Sequence, residues 1–290
     1  MLEHGQGPRA RRFAPLLALV VALATALLTP LAAPAASGDD PAPVATPFKV
    51  KVATFNILGS QHTARPGGFA PGYIRAGYTA DLIHMKNPDV VGMQEVQQDQ
   101  LRVLGRELDD YWIWPYKRLG TAQGIRLQIA YKRSAYDFVE GRKIYTRFDG
   151  NTRPIPYVRL RDKASGQEFW FLTFHNSRRM AERNGSTIAL VNLVNRLRST
   201  GLPVIVGGDS NTWFDFACRM GRNAAMQNAA GGRLYPCRPP KNPVFDVLLS
   251  NPRVEFGKYR QLGGRVVWRA SDHKFVTAKV TLADPAPATP

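Results

Sequence analysis

The sequence predicts a mixed α/β layered fold in one folded domain. Three observations carry that prediction. Short apolar runs alternate along the chain with stretches of helical periodicity. Several strand-like runs in the middle succeed one another with no helix between them. Between the two chain ends there is no internal repeat and no second linker, and 290 residues with 44% apolar side chains suffice for one sizeable core.

The ends are set apart first. Arg9, Arg11 and Arg12 precede an apolar run from Phe13 to Leu28, and Pro30 and a small-residue stretch containing Ala33-Pro34-Ala35 come after it. This order reads as a secretory signal peptide over residues 1–35, cleaved near Ala35. An uncleaved anchor is the alternative, since the run is only slightly short of spanning a bilayer. The Arg11-Arg12 pair lacks good flanking residues for a twin-arginine signal. Residues 36–47, rich in Pro, Ala and Asp, read as a disordered linker, and 284–290 as a frayed tail. The folded domain is therefore expected over 48–283, in a secreted protein with no stable membrane association after cleavage and a monomeric state.

Within the domain, Val50 to Ile57 reads as a buried strand. Tyr73, Ile74, Ala76, Tyr78, Leu82 and Ile83 mark an amphipathic helix closed by Asn87-Pro88. Val90 to Met93 is a short strand, and Leu101, Leu104 and Leu108 give the stripe of a second helix. Gln128 to Tyr131, Tyr136 to Glu140, Ile155 to Leu160 and Phe169 to Phe174 read as strands. Ile188, Val191, Val194 and Leu197 make a third helix, Pro203 to Val206 starts the next strand, and the chain from Val244 reads as strands again.

Composition bears on partners. There are 39 Lys and Arg against 22 Asp and Glu, a net charge of +17. The leader removes three Arg and one Glu, so the remainder keeps +15. Nucleic acid, anionic lipid and anionic wall polymer would all be attracted, although a basic surface also serves plain solubility. Cys218 and Cys237 are the only cysteines, and in an exported protein two cysteines closing a short loop usually form a disulfide. A metal pair is disfavoured because no third or fourth Cys or His lies nearby. Tyr111, Trp112, Trp114 and Tyr116 alternate at strand spacing; packing into the core is the commoner explanation, and stacking on bases the other.

Five segments place polar residues at the ends of apolar strands. Asn56 sits in Ala53-Thr54-Phe55-Asn56-Ile57, where a buried amide needs partners or orients a catalytic group. Glu95 ends Val90 to Gln94 and suits a hard cation such as Mg²⁺, or else an ordinary helix start. His175 comes directly after the apolar run Trp170 to Phe174. In Val206-Gly207-Gly208-Asp209-Ser210-Asn211, Asp209 and Asn211 are two apart and point to one side, so both can address one water or phosphate. The two glycines are expected to let a substrate approach the backbone, against the alternative of a plain β-turn. Asp272 and His273 stand together before Phe275, and Asp246, at the start of an apolar strand, is suited to hold an imidazole in one tautomer. His62 and His84 lie in polar loop-like or helical surroundings and carry little weight.

The segments TFNI, QEV, FHNS, GDSN, FDVLL and SDH, in that order from about Lys49 to Leu282, resemble the endonuclease/exonuclease/phosphatase family. The resemblance implies a four-layer α/β/β/α sandwich of two face-to-face mixed sheets flanked by helices. It implies metal binding by Glu95 with Asn56 beside it and Asp272 as a further contact. It makes Asp209 and Asn211 the pair that positions water and phosphate, His273 the histidine on the scissile phosphate, and Asp246 its orienting carboxylate. His175 matches a histidine of the deoxyribonuclease-like branch, and Arg153 resembles an arginine with which some members grip phosphate. Three departures stand out: Ser210 where an aromatic is common, Lys274 where Leu is frequent, and no acid between Thr121 and Tyr131 to pair with His175. The last carries phosphate binding to His175 but leaves its service as a general acid open.

The resemblance and the basic charge together lead to the expectation of a secreted, Mg²⁺-dependent phosphoester hydrolase, with Mn²⁺ or Ca²⁺ as alternative ions and nucleic acid as substrate. The competing expectations are a secreted phosphatase or sphingomyelinase-like phospholipid phosphodiesterase with the same metal site, and a non-catalytic module that binds anionic polymer.

Overall fold

The structure is a computed structural model that describes residues 48–63, 68–242, 245–251 and 253–282. All of these belong to the unit spanning 44–290. The signal peptide at 1–35, the linker at 36–47 and the tail at 284–290 lie outside the described residues. Among the described residues no helix is long and apolar enough to cross a membrane.

The chain runs β1 (Phe48–Asn56), a 3₁₀ turn (Ser60–His62), α1 (Gly72–Lys86), β2 (Val90–Gln94), α2 (Gln98–Glu107), β3 (Tyr111–Trp114) and β4 (Gln128–Lys132). It continues through β5 (Tyr136–Phe148), β6 (Asn151–Asp162), β7 (Glu168–His175), α3 (Met180–Arg198), β8 (Val204–Asp209) and α4 (Asp215–Ala224). The last part is β9 (Gln227–Asn228), β10 (Asp246–Ser250), β11 (Val254–Leu262), α5 (Arg265–Trp268) and β12 (Phe275–Leu282). Two six-stranded sheets result, ordered β11-β12-β1-β2-β4-β3 and β5-β6-β7-β8-β10-β9. Each is antiparallel except for one central parallel pair, β1 with β2 and β7 with β8.

Side-chain alternation explains the layering. In β1, Val50 and Val52 face one way and join Val158, Phe169, Phe171, Ile205 and Leu248 of the second sheet in a shared core. Ala53 and Phe55 face the other way, against Leu82 and Ile83 of α1 and Leu101 and Leu104 of α2. In β8, Ile205 enters the shared core, while Val204 and Val206 pack under Leu190, Val194 and Leu197 of α3 and Phe216 and Met220 of α4. Strands buried on both faces read as continuous apolar runs, which is how they appear in the sequence. The outcome is the four-layer α/β/β/α sandwich.

The helical stripes differ from the expected ones in register. In α1, Tyr73 and Ile74 are exposed, while Arg75, Ala76 and Thr79 are buried. In α3, Ile188 faces solvent, and Thr187, Leu190, Leu193 and Val194 face the sheet. The helix α4 and the short α5 interrupt stretches with no clear period in the sequence. Tyr111 is buried as expected of a core aromatic, whereas Trp112 is exposed under the Arg133 guanidinium, 4.2 Å above its ring.

The two glycines before Asp209 pack the sandwich and do not open it to substrate, which corrects the expectation. A Cβ on Gly207 would lie 3.1 Å from Leu248 and 3.3 Å from Thr54 of the facing sheet, and one on Gly208 would lie 2.2 Å from the Phe174 carbonyl oxygen. Cys218 and Cys237 are disulfide-bonded, with Cα atoms 5.4 Å apart, tying α4 to the loop after β9. Closing a loop of this length restricts the unfolded chain by about 3 kcal/mol. Replacing both cysteines with serine is therefore expected to lower unfolding stability by about 3 kcal/mol, read from denaturant midpoints under non-reducing conditions.

Candidate active site

Topology gathers the polar segments at one edge of the sandwich. Asn56 ends β1, Glu95 comes just after its parallel neighbour β2, and His175 and Asp209 end the parallel pair β7 and β8, where they are paired in register. Asp246 begins β10, which runs antiparallel to β8, so it lies opposite Asp209. His273 shortly precedes β12, antiparallel to β1, and so arrives at the same edge. A cavity of about 470 Å³ opens there, lined by Glu95, His175, Asp209, Asn211, Asp272 and His273 among others.

Asn56 is the hub. Its Nδ2 donates to Glu95 Oε1 at 3.0 Å and to Asp209 Oδ2 at 3.1 Å, and lies 3.3 Å from His273 Nε2. Its Oδ1 accepts from the Leu58 amide at 3.1 Å. The family resemblance places Asn56 beside the metal-binding Glu95, and the structure puts it there. With its oxygen accepting from the backbone, its amide nitrogen orients the two carboxylates.

Glu95 has φ +63°, and Leu58 and Asn211 also have positive φ, at +56° and +49°. Such backbone is costly for residues with a Cβ and gathers where a site demands it. Glu95 Oε2 accepts from the Gly59 amide at 3.0 Å and lies 3.1 Å from His62 Nε2. Burial pushes its carboxyl up, but the bonds from His62, Asn56 and Gly59, with the nearby His175, hold it well below the usual carboxylate range. The group is an anion at any working pH. Asp272 lines the same cavity and, among the described residues, forms no ion pair. Two carboxylates facing one cavity, one of them held ionised, form the all-oxygen donor set that a hard divalent cation prefers.

A second acidic group stands behind. Asp209 is 1% exposed; its Oδ1 accepts from the Asn211 amide at 2.8 Å. Burial and the neighbouring Asp246 raise its carboxyl above the usual range. Asp246 accepts from His273 Nδ1 at 3.0 Å, and His273 Nε2 lies 3.8 Å from Asp209 Oδ2. Burial alone would lower His273, but the bond and charge of Asp246, with Asp209, carry it up to about 10. The imidazole is therefore a cation near neutrality. Ligand atoms of Asp209, Asp246 and His273 lie within 4.8 Å of one another, close enough to hold a metal ion. The histidine cation already balances these two carboxylates. Ser271 locks the turn: its hydroxyl donates to the Asn56 carbonyl at 2.6 Å and accepts from the His273 amide at 3.1 Å.

His175 has the opposite character. Burial and the adjacent Arg153 lower it to about 3, so the ring is neutral. Arg153 Nη1 approaches Nδ1 at 3.3 Å and can only donate, which places the ring proton on Nε2. Nε2 lies 3.2 Å from Asp209 Oδ2, so this contact is a hydrogen bond from a neutral ring and not an ion pair. Asn211 Nδ2 donates to the Asn176 carbonyl at 2.7 Å and lies 3.0 Å from the same Nε2. Asn211 also lines the cavity, so its side-chain amide stands beside both His175 and the open space.

Every predicted site residue thus lies in or directly behind one cavity. The structure adds residues that sequence pattern alone passes over. His62, given little weight, bonds Glu95. Arg126 and Arg178 line the cavity wall. Arg75, fully buried on α1, donates to the carbonyls of Ile57, Leu58, Gly59, Ala70 and Ala270, joining the loop beneath Glu95 to the turn before His273. None of Tyr111, Trp112, Trp114 and Tyr116 lines the cavity.

Known proteins share this arrangement of strands. The model of the endonuclease/exonuclease/phosphatase family matches residues 53–273. No curated protein matches the chain significantly. Among solved structures, a family protein from Bacteroides thetaiotaomicron superposes with a TM-score of 0.66 at 17% identity, covering 82% of this chain and 99% of its own. A mannosyl-6-phosphatase from the same organism gives 0.64 at 18% identity, covering 80% and 99%. TDP2 of D. rerio, complexed with a single-strand DNA product, gives 0.62 at 17% identity, covering 80% and 98%. At these identities the likeness is one of fold.

Replacing Arg75 with Met keeps most of the side-chain volume but strips five carbonyls of their donor. It is expected to cost about 3 kcal/mol or more of unfolding stability, measured by denaturant titration. A change below about 1 kcal/mol would mean that water replaces the guanidinium.

Proposed function

The chain belongs to the endonuclease/exonuclease/phosphatase family, whose members are phosphoester hydrolases, and from that premise we propose that it is a secreted, Mg²⁺-dependent phosphodiesterase that cleaves nucleic acid by in-line attack of water. The observation that supports this reading most is the buried Asp209 carboxylate. It is held by Asn56 and His175, faces the His273 cation, and opens on the cavity that Glu95 and Asp272 line. The excess of 39 basic over 22 acidic residues suits a polyanionic substrate.

Glu95 and Asp272 would hold the cation, which when bound supplies a Lewis acid for the charge on a phosphate oxygen. Asp209 orients the attacking water and takes its proton, and a carboxyl raised above its usual range is a stronger base for that task. Asn56 keeps that carboxylate aimed while holding Glu95 apart from it. His273, kept positive by Asp246, stabilises charge that grows on the phosphoryl oxygens. The Asn211 amide is the uncharged donor to the phosphate, while the Nε2–H of neutral His175 is committed to Asp209. With a pKa near 3, His175 serves as a donor and not as a cationic acid. Export is supported by the leader-like residues 1–35 and by the disulfide.

Hydrolysis of plasmid DNA, single-stranded RNA and a chromogenic phosphomonoester, each with Mg²⁺ and with chelator, tests the reading. Chelator-sensitive cleavage of a polynucleotide is expected, falling roughly a hundredfold or more in Asp209→Asn and His273→Ala. Turnover of the monoester alone would make the protein a phosphatase, and polynucleotide cleavage unaffected by chelator would remove the metal from the mechanism.

The pH profile of kcat/KM carries a second prediction. Asp209 must be ionised and His273 protonated. Activity should therefore rise through an acid limb above the usual carboxylate range and fall as pH approaches about 10. Asp246→Asn removes the anion that raises His273, so the alkaline limb should move to lower pH; an alkaline limb that stays in place would take His273 out of the profile.

A further inference from the structure

Arg153 is a buried cation with no ion-pair partner among the described residues. It is 4% exposed, and its guanidinium lies 3.2 Å from the centre of the Phe148 ring. Its polar partners are His175 Nδ1 at 3.3 Å and Gln123 Oε1 at 3.0 Å, both uncharged, and its Nε is buried with no partner. A guanidinium taken out of water ordinarily faces a carboxylate or a ligand. The same side of the cavity carries two more arginines. Arg126, from the loop before β4, donates to Gln61 Oε1 at 3.2 Å, and its Nε is likewise buried and unpartnered. Arg178, from the loop after β7, is exposed at the cavity rim. Among the described residues none of the three forms an ion pair. Asp149, also on the cavity wall, accepts from the Ser177 hydroxyl at 2.7 Å.

The wall is set off from the reacting centre. The His175 ring stands between them, with Arg153 3.3 Å from Nδ1 and with Asn211 and Asp209 3.0 and 3.2 Å from Nε2. A phosphoryl group held at Asn211 and His273 is thus a full imidazole and two contacts away from Arg153. The arginines thus face the cavity on the far side of the His175 ring from Asn211 and Asp209.

We propose that Arg126, Arg153 and Arg178 form a subsite for a second phosphoryl group, one nucleotide unit from the scissile one. The substrate class is then a nucleotide ester that carries a phosphate beside the bond that breaks. The inference deepens the nuclease reading and rests on it for the scissile position. Planar guanidinium groups donate pairs of parallel hydrogen bonds to phosphate oxygens, and the apolar Phe148 face keeps Arg153 aimed. A phosphate entering here would give Arg153 its missing counter-charge.

The test has two arms. In the first, kcat/KM is measured with Mg²⁺ on a thymidine dinucleotide having only its internal phosphodiester, and on its 5′-phosphorylated and 3′-phosphorylated forms. One phosphorylated form should be preferred about tenfold or more, and Arg126→Gln and Arg178→Gln should each erase most of that ratio. In the second, inorganic pyrophosphate is titrated calorimetrically in the presence of chelator. Wild type should bind it, each arginine variant about tenfold more weakly, and Lys279→Gln, on a distant strand, as well as wild type. Equal kcat/KM on the three dinucleotides, or pyrophosphate affinity that ignores both arginine variants, overturns the subsite. If no dinucleotide is cleaved while pyrophosphate binding still depends on the arginines, the nuclease reading fails and the anion subsite stands.

Discussion

The site depends on one amide. Asn56 Nδ2 reaches Glu95 on its own sheet and Asp209 on the facing one, so a single NH₂ group joins the two halves of the sandwich. A half-buried and a buried carboxylate repel where the local dielectric is low, and a shared donor lowers that cost for both. The bridge needs the sheets in one register. One layer deeper, Gln94 Nε2 donates to Thr54 Oγ1 at 3.0 Å and to Thr173 Oγ1 at 2.8 Å, again crossing between sheets. Glycines at 92, 207 and 208 allow the close approach; a Cβ on Gly92 would meet Thr173 Oγ1 at 2.5 Å. A one-residue slip of β1 would turn Asn56 to the helix side and put Phe55 between the carboxylates.

From that bridge the cavity divides by charge. Glu95 and Asp272 form an anionic pole without an internal cation beyond His62. Asp209, Asp246 and His273 form a group in which one cation offsets two buried acids. The arginine wall is a positive pole whose three arginines form no ion pair among the described residues, its one carboxylate, Asp149, being bonded to Ser177. A phosphate ester has anionic oxygens for the arginine and histidine side, and shares a cation with the acidic side. The unsatisfied charges of the cavity therefore match the ligand class rather than each other. That mismatch within the protein is what distinguishes a binding site from a structural ion cluster.

Much of this was legible from residues alone. Asn56, Glu95, His175, Asp209, Asn211, Asp272 and His273 each lie at or beside the end of an apolar strand run, because strand ends are where a buried layer meets the cavity. The helix stripes were less legible. Arg75 takes a buried position on α1 because five carbonyls, in the loops after β1, before α1 and after α5, need a donor, and no apolar periodicity announces that. Tyr73 and Ile74 are exposed in consequence, and the stripe rotates. Gly207 and Gly208 were open to a substrate or a packing explanation, and only the positions of Thr54, Leu248 and Phe174 decide between them. His62 and Arg126 come from loops whose sequences carry no period, and they become site residues only through tertiary placement.

The lack of an acid between Thr121 and Tyr131 turns out to be a change of chemistry. Where a carboxylate would hold His175 positive, Arg153 contacts its Nδ1 and Gln123 takes up the arginine's second nitrogen. Phe148 packs edge-on against the His175 ring at 4.8 Å and beneath the Arg153 guanidinium, fixing both without adding charge. A carboxylate-backed histidine would gain and lose its charge near neutral pH, whereas a guanidinium keeps its own. Exchanging one for the other moves the permanent positive charge from the reacting centre outward to the wall and leaves His273 as the one imidazole cation beside Asp209. The titrating groups beside Asp209 are then Asp246 and His273, with the arginines set apart on the other side of the His175 ring.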